Sequence, residues 1–105
     1  MDLLQVQCKA LGIKIPETEY RFHSIRKWRT DYFFANVVRG KSLAVEIEGG
    51  IYTRGRHTRG KGAEKDMEKY NELSIKGIYL LRFTPDQVRK GIAALTIQRW
   101  IYEHS

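Results

Sequence analysis

Leu43-Ala44-Val45-Glu46-Ile47-Glu48-Gly49-Gly50 is the stretch on which the fold turns. Leu43, Val45 and Ile47 alternate with Ala44, Glu46 and Glu48, the period-two pattern of a β-strand. One face is aliphatic and belongs to a core. The other ends in two carboxylates, roughly 7 Å apart at their Cα atoms. Upstream, the aromatic-rich run from Trp28 to Phe34 reads as a second strand. Asn36 to Lys41, with Gly40, supplies the turn between them, so the two strands form an antiparallel hairpin. Downstream, residues 49–62 hold five glycines and many basic residues and read as a loop. Ala63 to Ile75 follows as a helix, with Met67 and Tyr70 facing inward and Gly77 just past its end. Ile78 to Phe83 is the apolar run of a central strand. The strand at 43–48, the helix at 63–75 and the strand at 78–83 make a βαβ unit with parallel strands and a right-handed crossover.

Outside this unit the signals are local. Leu3, Leu4, Cys8 and Leu11 recur at helical spacing, and Gly12 can end that helix. Pro16 marks a turn, and residues 20–23 read as a short strand. Thr84-Pro85-Asp86-Gln87 is a helix start: Thr84 caps, Pro85 takes the first position and Gln87 completes a capping box. That helix runs to about Glu103, with a kink or break at Gly91. The expected architecture is α/β, a single domain over residues 1–105, with a mixed central sheet flanked by helices in the order α-β-β-β-α-β-α.

Composition bounds the function. A chain of 105 residues with 42% hydrophobic content suits one domain with one core. A net charge of +7 suits a polyanionic partner, with nucleic acid ahead of an anionic membrane, and equally a soluble protein that is simply basic. No apolar run is long enough for a membrane span, and acidic Asp2 sits where a signal peptide would be basic. The single cysteine, Cys8, excludes an internal disulfide and points to a reducing cytoplasm. It reads as a core residue rather than a nucleophile.

The chemistry concentrates on the carboxylates. The strand holding Glu46 and Glu48 begins a crossover and belongs inside the sheet, where unpaired carboxylates are costly. Antiparallel pairing across the 35–42 turn can bring Asp31 level with Glu46. Three carboxylates converging on one point call for a hard cation such as Mg²⁺ or Mn²⁺, and such an ion activates water and stabilises charge in phosphodiester hydrolysis. Gly49 and Gly50 let a phosphate backbone approach closely. Glu19 is a further acidic candidate for the metal, with a surface role equally open to it. Arg54, Arg56, His57, Arg59, Lys61 and Lys65 lie within twelve residues, and Arg21, His23, Arg26, Lys27 and Arg29 surround Trp28. Both groups suit DNA phosphates, and His57 suits a general base, a leaving-group acid or a phosphate ligand. Asp66 and Lys69 read either as a surface ion pair on one helix face, or with Lys65 or Lys69 leaning over the active site.

These residues together resemble the PD-(D/E)XK restriction-endonuclease-like nuclease superfamily, nearest its small very-short-patch-repair-like and phage-type endonucleases. The resemblance rests on Trp28-Arg29-Thr30-Asp31, Leu43 to Gly50, His57 to Gly62, Asp66, Lys69, Gly77 and Leu81-Arg82-Phe83-Thr84, across roughly residues 17–100. It implies an αβββαβ core with a C-terminal helix, and a bacterial or phage-encoded endonuclease of the host cytoplasm. Asp31 and Glu46 would be the metal ligands. Glu48 stands where that family usually has lysine, so either Glu48 or a helix lysine, Lys65 or Lys69, takes that role. A chain this short has little room for a target-recognition domain. That favours structure-selective or weakly specific cutting, or a homodimer that doubles the contacts, with nicking and double-strand cutting both open. A non-catalytic DNA-binding module of the same fold is the alternative.

Overall fold

The computed structural model describes residues 1–49 and 61–105. Strands β1 (Glu17–Arg21), β2 (Arg29–Val38), β3 (Lys41–Ile47) and β4 (Ile78–Phe83) form one sheet in that spatial order. β1–β2 and β2–β3 are antiparallel and β3–β4 is parallel. Helices α1 (Leu3–Ala10), α2 (Lys61–Ile75), α3 (Pro85–Arg89) and α4 (Ile92–His104) are the α-helices of the described residues. The protein is therefore α/β with a mixed sheet, and β3 lies inside it as its crossover position requires.

The alternation along β3 sorts the two faces. Leu43 and Val45 pack with Phe34, Phe83, Leu4 and Cys8 of α1, and Ala93, Ala94, Ile97 and Trp100 of α4. Ala44 faces the other way, onto Phe33 and Leu73 of α2, with Tyr70, Ile78 and Leu80 around them. Cys8 is fully buried, and burial pushes its thiol up to about 11, so it is core and no nucleophile near neutral pH.

Several local expectations shift. The hairpin strands are longer than their aromatic and aliphatic runs, and the turn shrinks to Arg39-Gly40. Gly40 takes φ +75°, where a side chain is strained. Asn36, at φ 48°, bulges β2: its amide donates to Ser42 Oγ and its Oδ1 accepts from Gly40 N. The first strand begins at Glu17 rather than residue 20. Met67 is 61% exposed, not inward; the buried stripe of α2 runs through Lys69, Tyr70 and Leu73. Gly91, at φ +78°, divides the last helical stretch into α3 and α4.

Candidate active site

The site lies where the β2–β3 ladder comes apart. Regular pairing holds from Phe34–Leu43 to Tyr32–Val45. One step further, backbone groups are met by side chains. Ile47 N–H donates to Asp31 Oδ2 at 2.7 Å, and Asp31 N–H donates to Glu46 Oε2 at 2.9 Å. Across β2, pairing with β1 skips Glu19, which sits opposite Asp31 at φ 50°. Asp31 and Glu46 thus anchor each other's strands, and each spends one oxygen on a backbone donor.

The second oxygen of Glu46 meets the ammonium of Lys69 from α2. Lys69 is therefore turned to the sheet and not to Asp66. Both partners of this pair are largely shielded from water. Burial pushes the Glu46 carboxyl above its ordinary value, with the neighbouring Asp31 carboxyl adding to the rise; Lys69 and the Asp31 amide reduce the shift without cancelling it.

Glu48 goes elsewhere. It shares the Glu46 face, as the alternation requires, but Arg82 stands level with Glu46 on β4 and claims it. Arg82 Nε and Nη2 donate to Glu48 Oε1 and Oε2 at 2.9 and 2.6 Å, a bidentate pair, and Tyr70 Oη donates to Oε1 at 2.6 Å. The Arg82 guanidinium also lies 4.8 Å from the centre of the Tyr70 ring. Partial burial raises the Glu48 carboxyl, but Arg82 and Tyr70 outweigh it and hold the group below its ordinary value.

The expected convergence of three carboxylates is thus corrected to a pair, Asp31 and Glu46, completed by Lys69. Among the described residues no three acidic, histidine or cysteine side chains are gathered to hold a metal ion. Glu19 shares a depression of about 310 Å³ with Asp31, Asp2, Thr18, Tyr32 and Ile47. The donor set still fits a hard divalent ion. Magnesium is commonly held by one or two carboxylates, with waters and substrate phosphate filling its shell. Asp31 has an oxygen beyond the one that holds the backbone, and the second oxygen of Glu46, already met by Lys69, has a further lone pair for the ion.

Of the basic candidates, Arg26 stacks over Trp28, 4.1 Å from the ring centre, and reaches Glu68 at 3.5 Å. Lys27, Arg29 and Lys65 are exposed. Arg54, Arg56, His57 and Arg59, together with Gly50 and the side chain of Lys61, lie outside the described residues. Sequence reasoning missed Arg82 and Tyr70 as the holders of Glu48. The available signal was Arg82 itself, a lone charge in an apolar strand whose parallel partner carries Glu46 and Glu48. His23, grouped by sequence with the basic residues around Trp28, accepts the Ile25 and Arg26 amides at Nδ1, which leaves Nε2 to donate to Glu72 at 3.1 Å. It ties the β1–β2 connection to α2.

Comparison with protein-family models, with curated proteins and with solved structures finds no match to this chain.

Proposed function

We propose that this protein is a metal-dependent endonuclease that hydrolyses phosphodiester bonds in DNA. The observation that carries the proposal is the Asp31–Glu46 pair, fixed by reciprocal backbone bonds, with Lys69 brought onto Glu46 from a different element. The element order αβββαβ, the interior position of β3 and the net charge of +7 support it.

Asp31 and Glu46 would hold Mg²⁺ or Mn²⁺. When bound, the ion supplies Lewis-acid stabilisation of the phosphate and lowers the pKa of a water. The chain's own residues divide the remaining work. Lys69 holds a positive charge at Glu46, where it opposes the negative charge that builds on a phosphate under attack. Lys69 therefore takes the role for which Glu48 lacks the chemistry. Glu48 is a poor base, because Arg82 and Tyr70 hold it ionised below its ordinary value. It acts as a positioning residue that ties the end of β3 to β4 and α2. Lys27, in the connection before β2, and Arg29, at its start, are exposed and can meet backbone phosphates.

One observation favours a second reading, a DNA-binding module without catalysis. Both carboxylates already have structural work, since each accepts a backbone N–H, and Lys69 neutralises Glu46.

Supercoiled plasmid and branched DNA incubated with Mg²⁺ or Mn²⁺, and again with EDTA, distinguish the two. Asp31→Asn and Glu46→Gln keep an acceptor oxygen for the backbone bond and remove the charge. Cleavage is expected to need metal and to fall roughly 100-fold or more in either variant. Undiminished cleavage in either variant refutes the site. Salt-sensitive DNA binding with no cleavage of any substrate establishes the second reading.

A further inference from the structure

The sheet has two edges, and they are built differently. β1, Glu17-Thr18-Glu19-Tyr20-Arg21, is short and charged, and Glu19 at φ 50° interrupts its line. Such features blunt an edge against further pairing. β4, Ile78-Tyr79-Leu80-Leu81-Arg82-Phe83, carries one charge and pairs through all six residues with β3. Its outer side has no strand partner among the described residues.

The outward groups can be assigned. Glu48 N–H donates to the Phe83 carbonyl at 2.8 Å, and Ile47 lies level with Phe83. Backbone direction alternates along a strand. Tyr79, Leu81 and Phe83 therefore turn their N–H and C=O toward β3, whereas Ile78, Leu80 and Arg82 turn theirs outward.

We infer that β4 pairs antiparallel with β4 of a second copy of this chain. A row of unpaired backbone donors and acceptors is completed by another strand, and this row is self-complementary. With a two-fold axis at Leu80, Leu80 pairs with Leu80, and Ile78 with Arg82 of the other copy, all through outward-directed groups. This is the isologous arrangement of a two-fold dimer. The same register sets Tyr79, 41% exposed, opposite Leu81 of the second copy in the closer, non-hydrogen-bonded type of pair.

The charges on α4 agree. Its C-terminal half lies under β4, with the Tyr79 ring 5.2 Å from Trp100 and 5.1 Å from His104. Arg99 and Glu103 border a depression of about 220 Å³ that Leu81 also lines. The two-fold axis sets the two α4 helices antiparallel, so Arg99 of each copy faces Glu103 of the other. The inference does not depend on the nuclease reading.

Sedimentation of the full chain over a concentration series, with hydrogen exchange at matched concentrations, tests it. The expected result is a dimer in which the Ile78, Leu80 and Arg82 amides are protected and lose that protection on dilution. Arg99→Glu is expected to weaken dimerisation roughly tenfold or more, and Arg99→Glu with Glu103→Arg to restore it. A monomer at every concentration up to about 1 mM overturns the inference. So does a dimer whose three amides exchange as in the monomer, or a charge swap that fails to restore a dimer lost in Arg99→Glu.

Discussion

Replacing Lys69 with methionine isolates the site's central interaction. Methionine keeps most of the side-chain volume and removes the charge. The wild-type pair is buried on both sides, with side-chain exposures of 16% for Lys69 and 9% for Glu46. Removing one partner of a buried pair costs about 3–5 kcal/mol when the remaining charge has no other support. Glu46 retains the Asp31 amide and can take up a proton, so we expect about 2–3 kcal/mol at pH 8. For a domain of this size that lowers Tm by about 10 °C or more. The cost must depend on pH. Burial already raises the Glu46 carboxyl, and loss of Lys69 raises it further. A carboxyl whose folded pKa lies above its unfolded one binds protons better when folded. Its stabilising contribution is complete below the unfolded pKa and is lost as pH rises through the folded pKa. The variant should therefore approach the wild type at pH 5 and fall well below it at pH 8. Thermal unfolding followed by circular dichroism at both pH values measures this. Equal deficits at the two pH values, or a deficit below about 0.5 kcal/mol at pH 8, would refute a buried pair of this kind.

Other consequences are simpler. Glu48→Gln should cost about 1 kcal/mol at pH 7, a modest figure because Arg82 is half exposed and solvent screens the pair. Since Glu48 is held below its ordinary value, that stability is present above the unfolded pKa and is lost as pH falls through the folded one. The variant and the wild type should therefore converge in acid, and a deficit that persists there would contradict the assignment. Under the proposed function the same variant should lose far less cleavage than Glu46→Gln, because Glu48 would only position the end of β3 whereas Glu46 would hold the metal. Cys8 should resist alkylation in native protein at pH 8 and react once denaturant is added; rapid native labelling would contradict its burial.

Much of the fold follows from local rules that the sequence states openly. The alternation from Leu43 to Glu48 determined a strand with one aliphatic face, and the structure buries Leu43 and Val45 against α1 and α4. Thr84-Pro85-Asp86-Gln87 determined a helix start, and its capping box is present with Thr84 Oγ1 accepting from Gln87 N. Where the sequence reading missed, the competing effect was usually non-local. The bulge at Asn36 depends on a hydroxyl six residues away on the facing strand. The exposure of Met67 depends on which stripe of α2 meets the sheet.

The same division runs through the candidate site. The sequence by itself determined that Glu48 shares the Glu46 face, because period-two alternation is backbone geometry, and it placed Asp31 on the neighbouring antiparallel strand. The bulge at Asn36 sets Asp31 level with Glu46: the register of Val38–Lys41, carried on unbroken, would have put Asp31 opposite Glu48. Tertiary structure alone decided how the charges pair. Lys69 had a near acidic neighbour in Asp66 and a distant one in Glu46, and the packing of α2 on β3 chose the distant one. Arg82 lies 34 residues from Glu48 in the chain and reaches it because β3 and β4 run parallel. Sequence spacing fixes where a side chain points along its own element. Which opposite charge shares its desolvated space is set by the packing of elements distant in the chain.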